Sequence, residues 1–295
     1  MQRLLIVGSG DIARRAAPWL LARFRVFVLV RDPARADAWR QLGAVPVLGD
    51  LDEPRSLWRL AGLADRVLHL APPPASGVRD TRSRHLLAAL SRGRSLPCRL
   101  VYISTTGVYG DCGGAHIDET RPRRASSARA RRRVDAEDAL RRWGRRQRVP
   151  VVILRAPGIY AADRLPLERL EAGLPALLPA VDVFTNHIHA EDLARACCLA
   201  LFRGGPGRSF NVVDDSDLKM GDYFDRVADA AGLARPPRLA RAELVRRLSP
   251  VQLSFMAESR RIGNRRVRRE LRLELRYPTV DQGLAAAFHQ PGNLP

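Results

Sequence analysis

The sequence predicts an α/β fold: a doubly wound parallel sheet with a smaller, discontinuous C-terminal lobe. Three observations carry that reading. An apolar run, Leu4-Leu5-Ile6-Val7, leads directly into Gly8-Ser9-Gly10-Asp11-Ile12-Ala13. Ala13, Ala16, Ala17, Leu20, Leu21 and Phe24 then recur at helical spacing, and a second apolar run over 26–30 completes a strand, helix, strand unit. Beyond it apolar runs and helical stretches keep alternating, a pattern that lays strands in parallel and puts ligands at their carboxyl ends.

Taken in order, each element has a reason. Gly8 permits a tight turn, Gly10 lets the backbone approach a pyrophosphate, and the small Ala13 lets the following helix pack closely on the first strand. The amides that open this helix, at Asp11 and Ile12, face the anion. This is the phosphate-binding corner of a dinucleotide fold. The second strand ends in Arg31-Asp32. An acid there accepts hydrogen bonds from the ribose of NAD, whereas an arginine favours the 2′-phosphate of NADP. Arg31 comes first after the strand, so NADP is the preferred cofactor and NAD the alternative; a solvated Arg-Asp-Pro turn is the bland reading. Residues 45–48 read as a short strand, 53–63 as a helix, and 67–71 as a buried strand ended by three prolines. A helix over 81–92, a strand over 99–104, an arginine-rich helix over 133–147 and a strand over 151–154 continue the Rossmann-type alternation.

Composition narrows the class. With 295 residues, 46% of them hydrophobic, the chain can bury a large core. No apolar run approaches the ~20 residues of a membrane span, and the start lacks the pattern of a secretory signal, which sets a cytoplasmic location as the expectation. Cys98, Cys112, Cys197 and Cys198 show no metal-binding spacing and read as free thiols. The net charge of +19 raises nucleic-acid binding as a question. Against it, the arginine run over 121–148 has no interleaved aromatics, and Lys219 is the only lysine. That one-sided usage reads as a bias spread over the whole surface. No specific nucleic-acid partner and no membrane partner is expected, only salt-dependent adhesion.

At the carboxyl ends of the strands the motifs become specific. Gly8 to Ala13, Gly49-Asp50-Leu51, the loop from Tyr102 to Asp111, Leu154-Arg155-Ala156-Pro157-Gly158-Ile159-Tyr160, His187 to Ala194, Phe210-Asn211-Val212 and Tyr277 to Leu284 occur in order along almost the whole chain. In these segments the chain resembles the extended short-chain dehydrogenase/reductases of the NAD-dependent epimerase/dehydratase group. The resemblance implies a Rossmann-type cofactor domain of residues 1–158 plus about 181–214, and a substrate lobe of about 159–180 and 215–295. It implies that Asp50 and Leu51 lie against adenine, that Ala71 lines the cofactor cleft, and that Pro157 passes near the nicotinamide. Thr105 takes the place of the Ser/Thr that holds the substrate oxygen, although capping of strand-end amides is the bland reading of the Ser104-Thr105-Thr106 cluster. His187 and His189 read as hydrogen-bonded scaffold. The two-helix face of such proteins, here 81–92 and 133–147, implies a homodimer weakened by arginine repulsion.

One departure matters. These enzymes use a Tyr-x-x-x-Lys pair, in which the phenol exchanges a proton with substrate. Alignment through Glu137 puts Arg129 at the tyrosine position and Arg133 at the lysine position. Arg133 is able to supply the fixed positive charge and ribose hydrogen bonds. Arg129 is unable to cycle a proton at neutral pH. Another donor must be recruited: Tyr109, which shares a loop with Thr105, ahead of Tyr160, Asp111 or a water held by Thr105. Two functions stay open at this point. One is an NAD(P)-dependent oxidoreductase or epimerase acting by hydride transfer on a carbonyl or hydroxyl carbon of a small, anionic or sugar-like substrate. The other is a catalytically silent dinucleotide-binding protein that senses redox state or binds a partner.

Overall fold

A computed structural model describes residues 1–288; the end of the expected substrate lobe, 289–295, lies outside them. In chain order the first half contains β1 (Arg3–Val7), α1 (Asp11–Leu21), β2 (Arg25–Val30), α2 (Ala36–Gln41), β3 (Val45–Leu48), β4 (Arg66–His69), α3 (Thr81–Leu90), β5 (Arg99–Thr105) and β6 (His116–Ile117). Then come α4 (Ala128–Gln147), β7 (Val151–Ala156), β8 (Gly158–Tyr160), α5 (Leu167–Glu171), β9 (Ala176–Leu177), β10 (Phe184–Thr185), β11 (His187–His189), α6 (Ala190–Ala200), β12 (Ser209–Asn211), β13 (Leu218–Lys219) and α7 (Met220–Ala231). Seven strands form one sheet in the order β12-β7-β5-β4-β1-β2-β3, parallel at every pairing. The order reverses between β1 and β4, which opens a crevice at their carboxyl ends.

Alternation of side chains along each strand splits the apolar runs between two cores. Leu4, Ile6, Val26, Val28, Leu68 and Val152 pack with α1 and α6 on one face. Leu5, Val7, Phe27, Leu29, Val67 and Ile153 pack with α3 and α4 on the other. Strands buried on both faces need continuous apolar sequence, which is why these runs show no polar alternation.

Local chemistry sets the ends of the helices. Asp80 caps α3 by accepting from the Ser83 amide at 3.1 Å. Ser127 caps α4 through the Ala130 amide at 3.2 Å, so this helix starts five residues before the 133 expected from its arginine spacing. The stretch expected as a helix over 53–63 is instead a 3₁₀ segment, Pro54–Leu60. Its Ser56 hydroxyl is turned back onto the Asp50 and Glu53 carbonyls.

A third core holds the smaller lobe together. It joins Tyr160, Leu170, Leu177, Tyr223, Phe224, Leu244, Met256 and Leu284, and the chain crosses into it more than once. The segment over 261–275, expected there, packs elsewhere: Val267, Leu271 and Leu273 belong to the core of the main sheet, because their apolar side chains cover the ends of α6 and β12. Among the described residues no helix is long and apolar enough to cross a membrane.

Candidate functional site

Two cavities meet at the carboxyl edge of the sheet. The first, of about 520 Å³, runs over the β1 turn and is lined by Gly8, Gly10, Asp11, Ile12, Arg31, Asp32, Asp50, Leu51 and Ala71, with Arg133 at its inner side. The second, of about 600 Å³, lies between the sheet and the lobe and is lined by Thr105, Arg129, Pro157, Tyr160, Arg169, His187 and Tyr223 among others. Ile159 and Arg164 line both. Pro157, expected beside the cofactor, faces the second cavity and not the first.

The first cavity fits a dinucleotide on the evidence of its backbone. Gly8 sits at φ +104°, and a Cβ there would lie 2.5 Å from the Ala71 nitrogen. That crowding follows from how β1 ends, with the Leu70 and Ala71 amides both donating to the Val7 carbonyl at 2.7 and 2.9 Å. A Cβ on Gly10 would meet nothing within 4 Å, so it would project into the open groove. Gly10 caps α1 without a side chain. The opening amides of α1 therefore present their hydrogens to the cleft, as an anion requires. The Asp11 carboxylate beside them is neutralised by Arg15 at 2.7 Å and Arg164 at 3.0 Å. Asp32 turns its carboxylate to the Ala34 amide at 2.9 Å, while Arg31, whose charge acts on Asp52, and Arg35 line the same end of the cleft without a hydrogen bond or ion pair to a described residue.

Arg133 occupies the place expected for the fixed positive charge. Its Nη1 donates to the Ile103 carbonyl at 2.7 Å and the Tyr102 hydroxyl at 2.9 Å, which holds the guanidinium against the cleft. Thr105 lines the second cavity while its Oγ1 accepts from the Gly107 amide at 3.2 Å. Thr105 caps the strand end, and its hydroxyl hydrogen is left to donate.

Tyr109, expected as the relocated proton donor, lines neither cavity. It is 1% exposed, its hydroxyl donates to Asn211 Oδ1 at 2.7 Å and accepts from Arg155 Nη1 at 2.8 Å, and burial raises its pKa. It belongs to a buried polar network. Glu137, fully buried, accepts from Ser104 at 2.7 Å, from Arg155 at 3.0 and 2.8 Å, and from Arg141 at 3.0 Å. Burial pushes the Glu137 carboxyl up, but the hydrogen bonds and charge of Arg155 prevail and hold it below the usual range. Tyr109 sits in the same loop as Thr105, but the 3₁₀ turn Thr106–Tyr109 directs the two side chains to opposite sides.

Of the other phenols lining the second cavity, Tyr160 is committed, while the Tyr223 hydroxyl has no hydrogen-bond partner among the described residues. Tyr160 donates to the Thr279 carbonyl at 3.1 Å, and burial raises both its pKa and that of Tyr223. Asp111 is held by the Ser259 and Gly113 amides at 2.8 and 3.1 Å, which lowers its pKa. His189 is the scaffold residue the sequence implies, accepting from the Glu191 amide at 3.3 Å to cap α6. His187 differs. It stacks on Tyr223 at 4.1 Å, lines the cavity, and keeps an unpartnered buried Nδ1. Burial pulls its pKa down to about 3, so it stays neutral. Sequence reasoning missed His187, Phe184 and Phe255 as cavity residues, because nothing in their local pattern separates a cavity wall from a core.

Comparison with known proteins agrees with this geometry. The model of the NAD dependent epimerase/dehydratase family matches residues 4–212. Among curated proteins, a probable dTDP-glucose 4,6-dehydratase of Sinorhizobium fredii is 27% identical over 49% of this chain and 44% of its own length. The bovine dTDP-D-glucose 4,6-dehydratase is 25% identical over 41% of this chain and 37% of its own. This chain thus aligns with less than half the length of either. Longer is the match to a 4-hydroxy-2-methyl-3-oxo-4-farnesyl-3,4-dihydroquinoline-1-oxide ketoreductase of Stigmatella aurantiaca, 23% identical over 79% of this chain and 74% of that protein. Among solved structures, a conserved protein of unknown function from Silicibacter pomeroyi superposes with a TM-score of 0.78 at 30% identity, covering 97% of this chain and 98% of that one. The UDP-glucose 4-epimerase of Thermotoga maritima shares the fold, with a TM-score of 0.78 at 17% identity and 97% coverage of both chains. The chain belongs to the NAD-dependent epimerase/dehydratase family.

Proposed function

We propose that this protein is an oxidoreductase that prefers NADP over NAD and moves a hydride between the nicotinamide and a carbonyl or hydroxyl carbon of a small, anionic or sugar-like substrate. The observation that carries the reading is the junction of the two cavities at Ile159 and Arg164, with Arg133 on one side and Thr105 on the other. When bound, the dinucleotide supplies or accepts the hydride.

The chain's own residues do the rest. The first amides of α1 at Asp11 and Ile12 hold the diphosphate, with Gly8 and Gly10 giving it room. Asp50 and Leu51 flank adenine, Ala71 lines the cleft, and Pro157 packs towards the nicotinamide end. Arg31 and Arg35 take the 2′-phosphate, since neither forms a hydrogen bond or ion pair with a described residue and Asp32 is occupied with Ala34. Arg133 binds the nicotinamide ribose. Thr105 donates to the substrate oxygen, and Arg129 stabilises negative charge on it. With Tyr109 outside the cavity and Tyr160 bonded to the Thr279 carbonyl, the proton at that oxygen exchanges with water.

Fluorescence titration with NADPH and NADH at two salt concentrations tests the cofactor half: salt-tolerant binding with an NADPH preference is expected. Thr105→Val should then lower kcat/KM by about 100-fold on any substrate found, with dinucleotide affinity unchanged. Binding that vanishes with salt, or no binding at all, overturns the reading and leaves a fold kept for partner binding.

A further inference from the structure

Several arginines withdrawn from water are paired with acids. Arg155 and Arg141 meet Glu137, and Arg238 meets Asp182 and Asp225. In the second cavity Arg164 meets Asp11 at 3.0 Å and Arg260 meets Glu258 at 2.6 Å. Two cavity arginines form no ion pair with a described residue. Arg169, half-buried on α5, lies over the Phe224 ring at 4.6 Å, bonds only the Pro175 carbonyl, and keeps a buried Nε with no partner. Burial lowers its pKa with no acidic neighbour to oppose it. Arg129, exposed, lies over the Phe255 ring at 4.3 Å and forms no hydrogen bond or ion pair with a described residue.

Several of the cavity's neutral polar side chains, by contrast, are already spent on the protein. Asn186 bonds the Arg260 carbonyl and the Ile262 amide. Gln252 Oε1 accepts from Ser249, and Ser254 donates to the Val251 carbonyl. Much of the remaining wall is apolar, with Phe184, Met220, Phe224, Phe255 and Met256. Such a wall offers few partners to the many hydroxyls of a sugar or nucleotide, whose unmet hydrogen bonds would be costly. It suits a flat apolar body, and the guanidinium groups of Arg169, with no acidic neighbour, and of Arg129 suit an anionic head.

Resting on the reading that this cavity is the substrate site, we propose that its ligand class is a compact carboxylate with an aromatic or similarly apolar body, its charge held by Arg169 with Arg129 at the cavity's exposed side, and not a nucleotide sugar. The probes are 3-phenylpropanoate, its neutral amide 3-phenylpropanamide, and UDP-glucose, titrated calorimetrically into the full chain with and without NADP, at low and physiological salt. The carboxylate should bind at least about tenfold more tightly than the amide and than UDP-glucose, with the preference surviving physiological salt. Arg169→Met should erase the discrimination between carboxylate and amide, and Arg169→Lys should restore part of it. Should Arg169→Met melt early, Arg129→Met serves as the second variant, with a threefold or larger loss of carboxylate affinity and unchanged NADP binding. Equal binding of acid and amide, tighter binding of UDP-glucose, or no probe bound by a protein that binds NADP overturns the proposal. Carboxylate binding without any dinucleotide binding keeps this inference and overturns the cofactor reading instead.

Discussion

The cofactor cleft and the substrate cavity share a border but are built in opposite ways. The cleft is made of strand ends and the first turn of one helix, and its decisive contacts are backbone: the φ of Gly8, the open space at Gly10, the unpaired amides of α1. The cavity is made of side chains drawn from well-separated segments, Thr105, Arg129, Arg169, His187 and Phe255 among them. A backbone site depends on a few residue types at fixed spacing and so keeps its chemistry across a family. A side-chain site is rewritten by single substitutions, which is how Arg129 and Arg133 stand where the resemblance places a tyrosine and a lysine.

The largest effect should come from the backbone side. Gly8→Val puts a β-branched residue at φ +104° and a Cβ against Ala71; loss of NADPH affinity beyond about 100-fold, or of the fold, is expected by fluorescence titration and thermal melting. Gly10→Ala separates the two, because its Cβ meets no protein atom: the melting temperature should hold while affinity falls. Normal cofactor binding by Gly8→Val would erase the contrast between the two sites. A smaller effect belongs to a side chain on the cleft's rim. Arg31→Ala should weaken NADPH by about tenfold, one charge-assisted contact, and leave NADH unchanged; an equal loss for both dinucleotides would refute the assignment to the 2′-phosphate.

Tyr109→Phe tests whether the buried network and the cavity are separate. Removal of the hydroxyl leaves Arg155 and Asn211 each short of a partner, so stability should fall by about 1–3 kcal/mol while turnover per folded molecule stays within about twofold. A collapse of turnover at unchanged stability would return Tyr109 to the chemistry. The smallest effect concerns the seam between sheet and lobe. Asp214, whose amide donates to the His187 carbonyl at 2.8 Å, has a buried Oδ2 without a partner, and burial pushes its pKa up to about 8 from 3.8. Between those values the folded state binds more protons than the unfolded one, so stability is full below about pH 4 and is lost as pH rises to about 8. Asp214→Asn should match the parent near pH 4 and exceed it by a margin that grows as pH rises to about 8, read as a pH-dependent difference in Tm. An identical pH dependence in both proteins would remove Asp214 as its source.

What could be read from the sequence follows the same division. The strand and helix order, the glycine corner, and the lining of the cleft by Arg31, Asp50, Leu51 and Ala71 were legible, because each rests on local residue type and spacing. Ser127 capping α4, and the 3₁₀ turn in place of a helix over 54–60, were not, since short side-chain bonds to backbone outweigh apolar periodicity.

The placement of Tyr109 shows the limit most clearly. Sequence proximity to Thr105 put both in one loop, and only the fold decided that one hydroxyl faces the cavity and the other meets Arg155. By itself the sequence determined a parallel sheet with a dinucleotide corner, because apolar runs buried on both faces and glycines at obligatory turns leave the backbone little choice. The tertiary structure alone decided which arginines are neutralised by acids and which are left facing a cavity. That pairing depends on residues such as Arg155 and Glu137, or Arg169 and no acid at all, and their neighbours are set by packing across distant parts of the chain.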